Sequence, residues 1–285
     1  MQARNGMVSA SKNVDKNKAI VDKSFLQGAS LYELKEASKK FKLVITDTLF
    51  YEILSSANDT EKCITKLNQL AGTDCLFIQD LGYLLDFEAL EKIPTDHPSK
   101  HLQMEQDVET ILHYYRSYPS ALADALINKR HQNTEKTARL MIWEMNNWQK
   151  RRLHWFSKKE GDSNNVTLLS KISQIIGSSE LVQMLCSRYF AYVNGELKKE
   201  ELTPRWITYT WCQVIFFYSV DLYNRHEADS LLDDNGCVRT RMMNEVSDME
   251  YVALALMEDM LLTRDKRMQN AYDSLIAIRH QVSEH

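Results

Sequence analysis

SDMEYVALALMEDMLLTRDKRM, residues 247–268, is the stretch whose reading decides the fold. Ser247 or Asp248 is placed to cap a helix running to about Glu258, and MLLT then reads as a short apolar strand. A further helix is expected from about Lys266, which leaves Asp265 bare at the strand end, between Arg264 and Lys266. A short apolar strand between two helices is one unit of a parallel α/β sheet, because parallel neighbours need a crossover between them.

The beginning of the chain carries the same alternation. KAIVD (18–22) is a short apolar run ending in an acid, and SLYELKEASKK (30–40) opens a helix with a capping box, Ser30 with Glu33. KLVIT (42–46) is continuous and β-branched, as a strand buried on both faces should be. TLFYEILSSA and DTEKCITKLNQLAG follow as helices, the latter ended by Gly72, and CLFIQ (75–79) is a third strand. Between about 101 and 224 the pattern turns helical throughout, with Pro204 at a helix start, and Asn235–Gly236 marks a turn before the α/β pattern resumes. The predicted architecture is one α/β domain split by a helical insertion: an arm over 1–17, a first part over 18–92, an all-α insertion over 93–231 and a second part over 232–285.

Composition bounds the function. Only 8 Gly and 4 Pro among 285 residues favour long helices, and a net charge of −4 means that a polyanionic partner has to be met by a local basic patch. The five cysteines (Cys63, Cys75, Cys186, Cys212, Cys237) are scattered and form no CxxC pair, as expected of reduced thiols in a cytoplasmic protein. WITYTWCQVIFFYSV (206–220) is the most apolar stretch and is too short and polar to span a bilayer, so no membrane association is expected. No Gly-rich phosphate loop and no His–His ligand spacing occur, which argues against an ATPase or a zinc site.

In a parallel sheet, ligands gather at the carboxyl ends of the strands. Asp22 follows KAIV and Asp265 follows MLLTR; Glu52 lies about one turn into the helix after KLVIT, and Asp248 at the start of the helix that leads into MLLT. Singly, each has an ordinary explanation: Asp248 as a helix cap, Asp22 and Asp265 as strand-end turn residues, Glu52 as a solvated acid. Asp47, Asp80, Asp233, Asp234, Asp259 and Glu245 are assigned to that ordinary class, with Asp233 or Asp234 open to a supporting role. Together, four converging carboxylates repel one another, and a hard divalent cation such as Mg²⁺ or Mn²⁺ removes that cost.

These segments resemble the motifs of PIN-domain nucleases. IVDKSFL is similar to their opening Asp-x-Ser/Asn-x-Leu motif, here Asp22, Ser24 and Leu26; LVITDTLFYEIL is similar to the second, with Glu52; and 247–268 looks like the third and fourth joined, with Asp248, Thr263 and Asp265. The resemblance covers about 18–91 and 238–280. It implies a PIN-like three-layer parallel-sheet fold and an endoribonuclease that hydrolyses phosphodiester bonds with Mg²⁺ or Mn²⁺ held by Asp22, Glu52, Asp248 and Asp265. It also implies self-association as a homodimer. Two departures stand out: the long helical insertion, and Glu258–Asp259 where the family often has a glycine before the last strand. An inactive PIN-like scaffold and a single-stranded DNA nuclease are the alternatives, and a toxin or antiviral effector restrained by an inhibitory protein partner is the role this architecture suits.

Substrate contacts are expected from Ser24, Thr263, Arg264, Lys266 and Arg267 around Asp265, and from Lys150, Arg151 and Arg152 in NNWQKRRLHWFSKK (146–159), where cations alternate with Trp148 and Trp155. Cations neutralise RNA phosphates and aromatic rings stack on unpaired bases. The helical spacing of Met141, Met145, Trp148 and Trp155 equally suits a core, as does the aromatic stripe at 206–223.

Overall fold

The computed structural model describes residues 16–55, 60–70, 75–78, 80–101, 120–150, parts of 180–186, 201–226 and 228–283. Residues 1–15 of the expected arm, the Gly72 helix end, Arg151 and Arg152 with their neighbours Trp155 to Lys159, and the side chains of Trp148 and Lys150 fall outside what is described, whereas Lys16 donates to Ser38 O and Asn17 O accepts Lys42 N–H.

Four short strands form one all-parallel sheet: β1 (Lys18–Val21), β2 (Lys42–Thr46), β3 (Cys75–Ile78) and β4 (Met260–Leu262), in the order β3-β2-β1-β4. Ile20 lies beside Val44 on one flank and Leu261 on the other. The chain winds outward from β1 to β2 and β3, then returns to the far side of β1 with β4. The order therefore reverses at β1, and the crevice at the carboxyl ends of β1 and β4 is where such sheets bind ligands. Ile20, Val21, Leu43 and Val44 are fully buried, which accounts for the continuous apolar runs, each such side chain contributing about 1.5–3 kcal/mol.

Helices α1 (Lys23–Gly28) and α2 (Leu31–Lys40) join β1 to β2, and α3 (Asp47–Leu54) and α4 (Thr60–Gln69) join β2 to β3. The capping box of α2 forms as expected, with Ser30 N–H donating to Glu33 Oε2 at 2.6 Å and Glu33 N–H to Ser30 Oγ at 3.2 Å. Helix α5 (Leu81–Glu91) follows β3, capped by Asp80, and within the helical segment come α6 (Ser120–Lys150) and α7 (Ile207–Arg225). Next are α8 (Thr240–Met257) and, after β4, α9 (Lys266–Ser283).

Helix α8 is the hub: it packs on β1, β4, α3, α6, α7 and α9, and residues from all of these join one continuous buried cluster. Arg279 of α9 clamps this junction by donating to Leu256 O at 2.9 Å, Gln213 Oε1 at 2.9 Å and Thr210 Oγ1 at 2.6 Å. Burial lowers its guanidinium to about 10, still charged at neutral pH.

Some expectations need correction. Helix α8 starts at Thr240 with Arg239 in the cap position, so Asp248 lies in mid-helix rather than at its start. Buried Met242, Met243 and Val246 extend the apolar face upstream, and packing overrides the local capping signal of Ser247 and Asp248. The short helix α1 and the helix α5 were not anticipated, and α7 begins at Ile207, three residues beyond Pro204. The missing glycine before β4 causes no strain, because Glu258 is extended at φ −103°, while Gly236 in the Asn235–Gly236 turn does adopt φ +74°. Among the described residues no helix is long and apolar enough to cross a membrane.

Helix α7 lacks a side-chain cap of its own, and Glu88 of α5 supplies one from outside. Its buried carboxylate accepts from Ile207 N–H and Thr208 N–H, both at 2.8 Å, and from Thr95 N–H at 2.7 Å and Thr95 Oγ1 at 2.6 Å. Glu88→Ala leaves these donors unsatisfied and should cost about 3 kcal/mol, read as a lowered midpoint in urea denaturation.

Candidate functional site

Asp22 follows β1 directly and caps α1, its Oδ1 accepting Phe25 N–H at 2.7 Å. Ser24 Oγ donates to the same oxygen at 3.1 Å, and Thr263 Oγ1 donates to Oδ2 at 2.9 Å. The two hydroxyls also receive the chain leaving β4: Arg264 N–H donates to Ser24 Oγ at 2.8 Å, and Asp265 N–H donates to Ser24 Oγ at 3.1 Å and Thr263 Oγ1 at 2.9 Å. The apolar-Thr-x-Asp pattern is thus a seam joining the ends of β1 and β4. Asp265 in turn caps α9, its Oδ1 accepting Arg267 N–H at 2.7 Å and Met268 N–H at 3.1 Å.

Glu52 projects from α3, and its Oε2 accepts the hydroxyl of Tyr251 on α8 at 2.7 Å. Asp248 sits one turn before Tyr251 on α8, the i, i+3 spacing that keeps both on one side of the helix. The two outer acids Asp22 and Asp265 meet through the seam; Glu52 and Asp248 close the group from the helices. Asp22 is among the charges that act on Glu52, and both Glu52 and Asp265 act on Asp248. Acids from four distant segments therefore share one electrostatic neighbourhood.

Burial raises the carboxyls of Asp22 and Glu52 above the usual range, opposed at Asp22 by the Phe25, Ser24 and Thr263 hydrogen bonds and at Glu52 by Tyr251, Lys23 and Arg130. Asp248 is pushed up furthest: desolvation leads, Arg267 opposes it, and Glu52, Glu245 and Asp265 add repulsion. The desolvated, mutually repelling carboxylates of Asp22, Glu52 and Asp248, with half-buried Asp265 beside them, form an all-oxygen set that suits a hard divalent cation. Among the described residues, however, no three His, Cys, Asp or Glu side chains are grouped so as to hold a metal ion as they stand. The fit lies in the donor chemistry and the electrostatics.

Arg267 already sits among these acids. Its Nη2 donates to Asp248 Oδ2 at 2.9 Å and its Nη1 pairs with Glu245. Arg264 turns away from the acids and pairs with Glu33 at 2.7 Å, its side chain lying over Gly28, where an added Cβ would stand 2.6 Å from Arg264 Cδ. Lys266 is exposed at the first position of α9.

Several participants were not anticipated. Glu245, assigned to the solvated class, is buried beside Asp248, where Arg267 and, at 3.5 Å, Arg225 of α7 neutralise it. Arg130 of α6 donates to Thr48 Oγ1 at 2.8 Å and pairs with buried Glu250, whose Oε2 also accepts Thr48 Oγ1 at 2.6 Å. Thr48 lies one turn before Glu52 on α3, so this contact ties both acid-bearing helices to α6. Tyr218 belongs to the stripe expected to be core and is buried there, as is Tyr251, yet the Tyr251 hydroxyl donates to Glu52 and Tyr218 feels the charge of Asp248. Only the hydroxyl oxygen distinguishes such a tyrosine from a phenylalanine, and helical spacing cannot tell where it points. Comparison with protein-family models, with curated proteins and with solved structures finds no match.

Arg130→Met strands the buried Glu250 charge and should destabilise by about 3 kcal/mol or more in urea unfolding, whereas Arg130→Met combined with Glu250→Met should recover most of the loss.

Proposed function

We propose that this chain is a divalent-metal-dependent endoribonuclease of the PIN-like kind, hydrolysing phosphodiester bonds in RNA. One observation carries the reading: Asp22, Glu52, Asp248 and Asp265, from distant parts of the chain, share one electrostatic neighbourhood at the point where the strand order reverses, and the first three are desolvated there. A set of acids that must be desolvated together is costly for stability alone, and a cation offsets that cost.

Asp22, Glu52, Asp248 and Asp265 would hold Mg²⁺ or Mn²⁺. When bound, such an ion supplies water activation and neutralises charge on the phosphodiester. The chain's own groups do the positioning. Ser24, Thr263 and the Phe25 amide fix the Asp22 carboxylate, and Tyr251 fixes Glu52. Lys23 donates to Glu52 O at 3.1 Å and brings a cation to the same wall. Arg267 is the cation beside Asp248, close enough to meet a substrate phosphate at the site.

A second reading, a non-catalytic binding protein on a PIN-like framework, draws on the ion pair that already neutralises Asp248. The two part on cleavage. Wild-type protein should cut single-stranded RNA with Mn²⁺ or Mg²⁺ and stop on adding EDTA, and Asp22→Asn should lower the rate by about a hundredfold or more at an unchanged circular dichroism spectrum. Cleavage by Asp22→Asn at the wild-type rate overturns the site, and its absence in the wild type supports the binding protein. A single-stranded DNA competitor run alongside separates ribonuclease from deoxyribonuclease.

A further inference from the structure

We propose that Arg267 is the resident counter-ion of the acid group, and that it competes with a divalent cation for the carboxylate of Asp248. The inference rests on the metal-binding reading above and adds a mechanism of occupancy to it.

The geometry is that of a seat already filled by a positive charge. The Arg267 guanidinium spans two carboxylates, Asp248 at 2.9 Å and Glu245, while its backbone N–H is held by Asp265 at 2.7 Å. The partners differ in their freedom to move. The Glu245 side chain is 4% exposed, whereas that of Arg267 is 36% exposed, so the guanidinium can carry its own charge out into water. Glu245 keeps a partner when it does, because Arg225 approaches the same oxygen at 3.5 Å. Asp248 is then the carboxylate left uncovered, next to Glu52 and Asp265.

An independent observation marks the same spot as waiting for a ligand. The hydroxyl of Tyr218 on α7 is buried with no hydrogen-bond partner among the described residues, and its charged neighbours are Asp248, Arg267, Glu245 and Asp221. Leaving a phenol unsatisfied in the interior is unfavourable. A hydrated cation brings what it lacks, since Mg²⁺ in particular retains several waters when bound by carboxylates.

Competition makes an unusual demand: removing a protein cation must tighten binding of a metal cation. The test is Mn²⁺ titration by calorimetry on the full chain, for wild type, Asp22→Asn, Arg267→Gln and Arg267→Lys. Arg267→Gln should bind Mn²⁺ about tenfold more tightly than wild type, an ordinary coupling between two competing ligands. It should also gain more in thermal unfolding temperature when Mn²⁺ is added. Arg267→Lys keeps the charge but cannot span both carboxylates, so its affinity should fall between the two, and it decides the matter if the glutamine variant does not fold. Binding by either variant that is equal to or weaker than wild type, with Asp22→Asn still impaired, overturns the counter-ion and leaves the metal site standing. No Mn²⁺ binding by any of the four proteins overturns both.

Discussion

The seam between the ends of β1 and β4 is the constraint on which the rest of the molecule depends. Two strands drawn from opposite ends of the sequence lie side by side, and the pairing is carried past Val21 by Asp22 N–H donating to Leu262 O at 3.2 Å. Beyond that bond the ladder stops, and two hydroxyls take over. Ser24 and Thr263 each donate to Asp22 and each accept from the backbone that follows β4. A carboxylate placed there is oriented by the same contacts that close the sheet. Small hydroxyl side chains suit the task, since each supplies a donor and an acceptor at short reach.

Around the seam the molecule manages an excess of buried negative charge. Asp22, Asp248, Glu52, Glu245 and Glu250 all lie at least partly out of water, a burden no chain carries for stability alone unless cations are brought to meet it. The cations come from several directions: Lys23 from α1, Arg267 from α9, Arg130 from α6 and Arg225 from α7. Two of the four belong to the helical segment between the α/β portions. That segment is electrostatically part of the candidate site, whatever else it recognises.

What could be read from the sequence follows from how local each signal is. KLVIT, the Ser30–Glu33 capping box and the helix start at Lys266 depend on nearest neighbours, and each formed where expected. Asp22 and Asp265 could be placed side by side because strand ends can be located, and strand ends in a parallel sheet share an edge. The start of α8 could not be located, because Ser247–Asp248 is a strong local cap signal that burial of Met242 and Val246 overrules. Glu245, Arg130 and Tyr251 were invisible for a related reason. Their roles depend on partners 22, 120 and 199 positions away, and nothing in their own surroundings reveals that distance.

The placement of β1 has a consequence for biosynthesis. One of its two neighbours in the sheet, β4, is made more than two hundred residues after it. Until then the flank of Ala19–Val21 that pairs with β4 stays open, and Asp22 has neither Thr263 nor Asp265 beside it. Long-range parallel pairing of this sort is slow to form and prone to wrong partners meanwhile. The seam therefore stays incomplete until the β4 segment has been made, a built-in delay between synthesis of β1 and closure of the sheet around Asp22.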